Sequence, residues 1–221
     1  SALTFAEPDT GAVIMYFIIT ITMLFVGGFR KRWFIMSLSI ILLFGGSFLA
    51  LYLFNQDLFI KIFGTSFFYR MDRILNWSSS SGLQLKNSIM AIGSAGLTGH
   101  GINKVPITIP EMQTDFIFSV FASNYGLIGA TLLISVIIFF DITLITTVNK
   151  TSNNCDKYAI GGILGVLLFQ QVYNISMTIG LLPIMGITLP FISYGGSSLL
   201  SYMLLLGIIF NVSNESLRFT N

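Results

Sequence analysis

The stretch "FIFSVFASNYGLIGATLLISVIIFF", residues 116–140, runs for 25 residues without a charged side chain. Crossing about 30 Å of hydrocarbon takes roughly 20 apolar residues in a helix, so this run alone is long enough to span a bilayer. It lacks the alternation of a barrel strand, and lipid offers no partners for backbone N–H and C=O groups, so a helix is the form it must take. Working outward, similar windows at Gly11–Gly28, Trp33–Phe54, Tyr158–Thr178 and Phe191–Val212 join Phe116–Phe140. The pattern predicts an all-α, polytopic transmembrane helical bundle with about five spans in this chain.

Composition points the same way. Hydrophobic residues make up 54% of the chain and charged residues 9%, and the mean hydropathy is +0.84, too apolar for an ordinary soluble domain. A net charge of +2 is too small for a nucleic-acid surface, so no nucleic-acid partner is expected. The single cysteine, Cys155, has no internal disulfide partner.

The chain divides at its polar stretches. Residues 1–54 carry two spans with an outer N-terminus, 55–115 form a large loop with interfacial helices, and 116–221 carry three spans ending in a cytoplasmic tail. Cations in short loops set the orientation. "RKR" at Arg30–Arg32, Lys150 with Lys157, and Arg218 all fall on one side, whereas "GLLPIMGITLP", residues 180–190, contains none. That places the loop 55–115 on the extracellular face of a multi-pass cell-membrane protein. An outer start at Ser1 without a signal segment predicts that an odd-numbered set of helices precedes this chain.

The outer face collects the unusual polar residues. In "IPEMQTDFIFSV", residues 109–120, Glu111 and Asp115 stand at the threshold of the third span. A carboxylate there serves either as a helix cap beside unsatisfied N–H groups or as a general base. Partial burial and a second acid nearby would both raise the Asp115 pKa toward a useful range. Arg70 and Arg73 are three apart, on one face if "FFYRMDRILNW", residues 67–77, is helical. They suit either headgroup anchoring or bidentate phosphate contact. In the next segment Leu85, Ile89 and Ile92 predict an interfacial helix that ends in a flexible turn at Gly93, Gly96, Gly99 and Gly101. His100, the sole histidine, has no cysteine or second histidine near it and reads as a loop residue. No metal-ligand motif is present. Gln170, Gln171 and Asn174 lie in the outer half of the fourth span, where amides act as packing glue or line a cavity. "LPFISYGGSS", residues 189–198, interrupts the start of the fifth span with Pro190, Gly195 and Gly196. Such a break needs protein or a water-filled cavity around it.

Taken in order, "EPDTGA" (7–12), "YRMDRILNW" (69–77), "GLQLKNSIMAIGSAGLTGHGI" (82–102), "PEMQTDFIFSV" (110–120) and "NISMTIGLLPIMGITLPFISYGGSSLL" (174–200) resemble the SEDS family, the RodA, FtsW and SpoVE proteins of bacterial cell-wall synthesis. The resemblance covers essentially the whole chain, and the Met177–Thr178 pair is closer to the RodA branch. It implies the second half of a polymerase that joins lipid II into glycan strands during elongation or division, releases undecaprenyl diphosphate and works with a class B penicillin-binding protein. It maps the family's essential aspartate onto Asp115 and its neighbouring glutamate onto Glu111. Arg70, Arg73, Lys86 and Gln84 become candidates for substrate and diphosphate binding. Asn174, Pro190, Ser193, Tyr194, Gly195, Gly196 and Ser197 become candidates for shaping the cavity. No resident cofactor is implied; a divalent cation, magnesium or manganese, can accompany the diphosphate. Leu83, Ser78–Ser81 and His100 depart from the family's usual residues, which bears on acceptor and phosphate contacts. A lipid-linked precursor flippase and a scaffold for the penicillin-binding protein are the rival readings, and this half by itself is expected to be inactive.

Overall fold

The computed structural model of the chain describes residues 10–65, 67–69, 82–102, 104–151 and 153–218. Its main elements are α1 (Thr10–Val26), α2 (Lys31–Phe54), α3 (Gln56–Phe63), α4 (Gly82–Ser94), α5 (Ile117–Lys150), α6 (Asn154–Thr178) and α7 (Gly196–Arg218). No strand occurs among the described residues. Helices α2, α5, α6 and α7 are long and apolar enough to cross a membrane, and α1 is a shorter apolar helix. The all-α, polytopic membrane architecture follows from these lengths, because a helix satisfies its own backbone where lipid cannot.

The chain forms two units, Gly28–Gly82 and a second one made of Ser1–Gly27 with Leu83–Asn221. In the first unit, the α2 side chains Ile35, Met36, Leu38 and Ile40 through Phe44 point outward, as suits a helix solvated by lipid. Asn55 leaves helical geometry at φ −149° and ψ 71°, and the amphipathic α3 turns back onto the end of α2. Its anchor is Phe59, fully buried and edge-on to Phe48 at 4.9 Å and Tyr52 at 5.5 Å. Asp57 in the first turn of α3 and Lys61 in its last complement the helix dipole.

In the second unit α6 is the central helix, packing against α1, α5 and α7. Glycines on α6 permit the closest of these contacts: a β-carbon at Gly165 would collide with the Thr22 side chain of α1. Gly161 faces Val26 while Gln170 reaches Met15, so α1 and α6 run antiparallel. An apolar core of Leu144, Ile160, Leu167, Tyr202 and Ile209 fills the space between α5, α6 and α7. Because α5, α6 and α7 alternate in direction, the start of α5, the end of α6 and the start of α7 meet at one end of the unit. Lys150 and Lys157 belong to the other end.

Several boundaries differ from the sequence expectation. The third span does not stop at Phe140: α5 continues to Lys150, with Asp141 buried at 7% exposure. The buried amide of Gln171 on α6 stands beside Asp141 as a polar neighbour, so an acid sits inside the bundle instead of ending the helix. The fourth span begins earlier than Tyr158, because Asn153 caps α6 by accepting from Cys155 N at 3.2 Å. The fifth begins later than Phe191, which adopts φ 65° and is followed by a turn in which Ser193 N donates to Leu189 O, so α7 starts only at Gly196.

The interfacial helix expected around Leu85 is α4, but its buried face is Leu85, Ser88, Ala91 and Ala95, and Ile89 is 45% exposed. Ser88 Oγ donates to Thr178 O at 2.7 Å and shares a hydrogen bond with Ser119 Oγ, tying α4 to α6 and α5. The glycine turn after α4 is docked rather than loose. At Gly126 α5 breaks with φ 65° and ψ −163°. The turn fills the gap: His100 N and Gly101 N donate to the carbonyls of Ser123 and Asn124, and Leu127 N and Ile128 N donate to those of Gly96 and Leu97. The backbone groups released by the break are thereby paired, as a low-dielectric setting requires.

Candidate functional site

The segment that carries the acids is a run of turns, residues 110–116, immediately before α5. Pro110 stops any preceding regular structure. Glu111 takes the left-handed value φ 54°, unusual for a side-chain-bearing residue, and its carbonyl accepts from Thr114 N at 3.2 Å and Phe116 N at 3.3 Å. Phe116 drops into a small core with Ala91 and Ile109, and Asp115 is left half-buried beside it.

The carbonyls of this segment are held from outside. Tyr194 N donates to Gln113 O at 2.8 Å, Ser193 Oγ to Thr114 O at 2.7 Å, and Asn174 Nδ2 to Asp115 O at 2.8 Å. Asn174 also donates to Ile187 O at 2.7 Å, and Ser193 Oγ accepts from Leu189 N at 2.8 Å. The irregular stretch 186–195 therefore serves as a cradle for the acidic turns. The carboxylate itself lies over the backbone of Gly186, with Oδ2 3.6 Å from where a β-carbon would stand.

No hydrogen-bond donor or cation engages the Asp115 carboxylate among the described residues. Glu111 is exposed, and its Oε2 accepts from Thr114 Oγ1 at 3.3 Å. Burial pushes the Asp115 pKa above the ordinary carboxylate range, and the nearby Glu111 charge raises it further. A carboxylate that is accessible, unpaired and displaced upward in pKa is equipped to accept a proton from a bound hydroxyl.

The other candidates divide. Pro190 is buried in the cradle beside Leu189, and Tyr194 contributes its backbone N–H while its ring is 76% exposed. Gly195, Gly196 and Ser197 open α7, where Gly195 O caps by accepting from Ser198 Oγ at 3.0 Å, and they make no polar contact with the acidic turns. Gln84 and Lys86 lie on α4, and Lys86 is exposed without an ion pair to either acid among the described residues. Arg70, Arg73 and Ser78–Ser81 fall outside the described residues. Sequence reasoning missed two features, the helix break at Gly126 and the buried Asp141–Gln171 pair. Ser123, Asn124 and Gly126 interrupting one apolar run, and an acid followed by nine more helical residues, were the available signals.

A half-buried acid held at one end of an antiparallel helical bundle defines the class, a multi-pass membrane protein with a carboxylate site where two spans begin and a third ends. Residues 1–218 match the family described as cell cycle protein, which groups FtsW, RodA and SpoVE, and the chain belongs to that family. A protein of Coxiella burnetii called a probable peptidoglycan glycosyltransferase FtsW is 34% identical over 228 residues, covering 98% of this chain and 57% of its own length. Stage V sporulation protein E of Bacillus subtilis is 36% identical over 160 residues, covering 67% of this chain and 43% of its own. A chain from a solved peptidoglycan synthase complex shares the fold, with a TM-score of 0.77 at 23% identity over 97% of this chain and 58% of that one. The chain thus spans about half the length of the curated relatives it matches. These relatives carry FtsW and sporulation names, so the Met177–Thr178 pair does not assign the chain to the RodA branch.

Proposed function

We propose that this protein polymerises peptidoglycan, with Asp115 as the general base. The observation that carries the reading is the Asp115 carboxylate, half-buried and without a partner among the described residues, above a backbone held at three successive carbonyls. In the step, the sugar 4-hydroxyl of one lipid II attacks the anomeric carbon of the lipid-linked strand. The new glycosidic bond forms as the bond to diphosphate breaks, undecaprenyl diphosphate leaves with the electron pair, and the hydroxyl proton passes to Asp115. Glu111 sustains the basicity of Asp115 through its charge. Lys86, Gln84, Arg70 and Arg73 are the proposed contacts for the departing diphosphate, where positive charge stabilises the leaving group.

Among the described residues no group of three or more His, Cys, Asp or Glu side chains gathers to hold a metal. In this reading a divalent cation enters only as a companion of the diphosphate, with no step passing through it. The site faces the extracellular side in this reading, supported by the placement of Lys150 and Lys157 at the opposite end of the helices. A class B penicillin-binding protein is the proposed partner, in line with the synthase complex whose fold the chain shares.

A base contributes roughly 100- to 10,000-fold, so Asp115→Asn is expected to abolish strand formation from labelled lipid II while the protein stays inserted. Parent-level synthesis by that variant overturns the reading. A second reading, transport of a lipid-linked precursor, draws on the broken α5 and the buried Asp141–Gln171 pair. It predicts that lipid II crosses vesicle membranes equally well with Asp115→Asn.

A further inference from the structure

We infer that Asn174, assisted by Ser193, is the positioning residue for the base: it sets where the Asp115 carboxylate stands by holding that residue's own carbonyl. The inference rests on the reading of Asp115 as general base. Asn174 is wholly buried on α6, four residues before the helix ends at Thr178. Both protons of its amide are in use, one on Asp115 O at 2.8 Å and one on Ile187 O at 2.7 Å, while its Oδ1 has no partner among the described residues. The side chain is therefore used as a double donor, and a single group joins a membrane helix, the acidic turns and the cradle.

Ser193 repeats the arrangement one carbonyl earlier. It accepts from Leu189 N at 2.8 Å and passes its own proton to Thr114 O at 2.7 Å. Both Asn174 and Ser193 act on main-chain carbonyls and neither touches the carboxylate, so both leave its lone pairs free for substrate. That division suits a base: direct donors to the carboxylate would lower its pKa and occupy the atoms that must take the proton. Holding the backbone instead fixes the carboxylate over Gly186 and keeps it partly desolvated.

Glu111 is the one charged side chain acting on Asp115 among the described residues. Other titratable groups on the packed elements are Tyr173 on α6, whose hydroxyl is tied to Pro183 O at 3.0 Å, the exposed Tyr194 in the cradle, Tyr202 on α7, the exposed Lys86 on α4, and Tyr125 with the buried Asp141 on α5, and none of these is a cause of the Asp115 shift. A change in Asp115 titration on altering Asn174 or Ser193 therefore reports its burial and position, since no charge is removed.

The test uses the full-length protein in proteoliposomes, with two readouts. One is the pH profile of kcat and KM for lipid II polymerisation. The other is the pH dependence of carbodiimide modification of Asp115, followed by mass spectrometry, which needs no activity. Asn174→Ala is expected to lower kcat about 100-fold, as misplacement of a reacting group by an ångström does, with KM near that of the parent. The midpoints of the acid limb and of Asp115 labelling should both fall toward the ordinary carboxylate range. Asn174→Leu, of similar volume without the donors or any charge, should behave like Asn174→Ala. Ser193→Ala should show the same shifts more weakly, and Ser193→Thr, which keeps the hydroxyl, should restore them. If Asn174→Ala does not fold, the Ser193 pair decides alone. Unchanged labelling midpoints and pH profiles in folded variants overturn the positioning role, even where overall activity drops. Active Asp115→Asn would instead remove the base reading beneath it, so the two failures are separable.

Discussion

Replacing Gly126 by alanine tests the most unusual piece of backbone in the protein. Gly126 breaks α5 at φ 65° and ψ −163°, a conformation nearly closed to residues with a β-carbon, and forcing one into it costs about 1–3 kcal/mol. Space is lacking as well, because the new methyl would collide with the Leu97 carbonyl and Gly99 N–H, which lie against Gly126. The turn 96–101 must then retreat, and it holds four backbone hydrogen bonds to α5, each worth about 0.5–1.5 kcal/mol net. Strain together with the loss of two of these bonds comes to about 2–6 kcal/mol. Gly207 is the control: it sits in helical α7, exposed, with nothing within 4 Å of an added β-carbon. Alanine there is expected to add up to about 1 kcal/mol through helix propensity. Unfolding in mixed detergent micelles, titrated with sodium dodecyl sulfate and followed by circular dichroism, measures both. A Gly126→Ala stability within about 0.5 kcal/mol of the parent would refute the argument, since that is the scale of an ordinary surface change.

Three further predictions concern the acids. The rate of strand formation should fall as pH drops through an Asp115 pKa above the ordinary carboxylate range; Glu111→Gln should move that limb down, but only partway, because burial is the larger cause and remains. A raised pKa also means that the fold favours protonated Asp115: its contribution to stability is greatest below the ordinary carboxylate range and is lost as pH rises through the raised value. Asp115→Asn should therefore unfold no more easily than the parent at neutral pH, with any gain shrinking toward about pH 4, as denaturation at the two pH values will show. Gln171→Leu strips the polar neighbour from buried Asp141 and should cost about 1–3 kcal/mol, whereas the double change with Asp141→Leu should recover most of it. Additive losses in that double-mutant cycle would count against the pair.

How far the site was legible depends on the kind of interaction. Asp115 and Glu111 stood out because an acid before an uncharged 25-residue run is conspicuous in a chain with so few charges, and chain proximity alone brings them together. Asn174 and Ser193 were marked only as cavity residues, since their work lies in bonds to backbone carbonyls 59 and 79 positions away in the chain, which no local pattern encodes. The third span was ended at Phe140, one residue before Asp141; that Asp141 is buried within α5, beside Gln171 of α6, shows only in the packing. The α4 face was misread for a related reason. Its buried stripe includes Ser88, whose burial is made acceptable by Ser119 and Thr178 from two other helices.

Sequence by itself determined that the chain is a helical membrane protein, because a run of apolar residues long enough to cross lipid has one backbone solution. It also determined which acid to watch. Tertiary structure decided what holds that acid, where α5 breaks and which polar side chains are buried, since each depends on donors and acceptors that meet across helices far apart in the chain. Local pattern reveals what a segment needs, and only packing reveals which distant group supplies it.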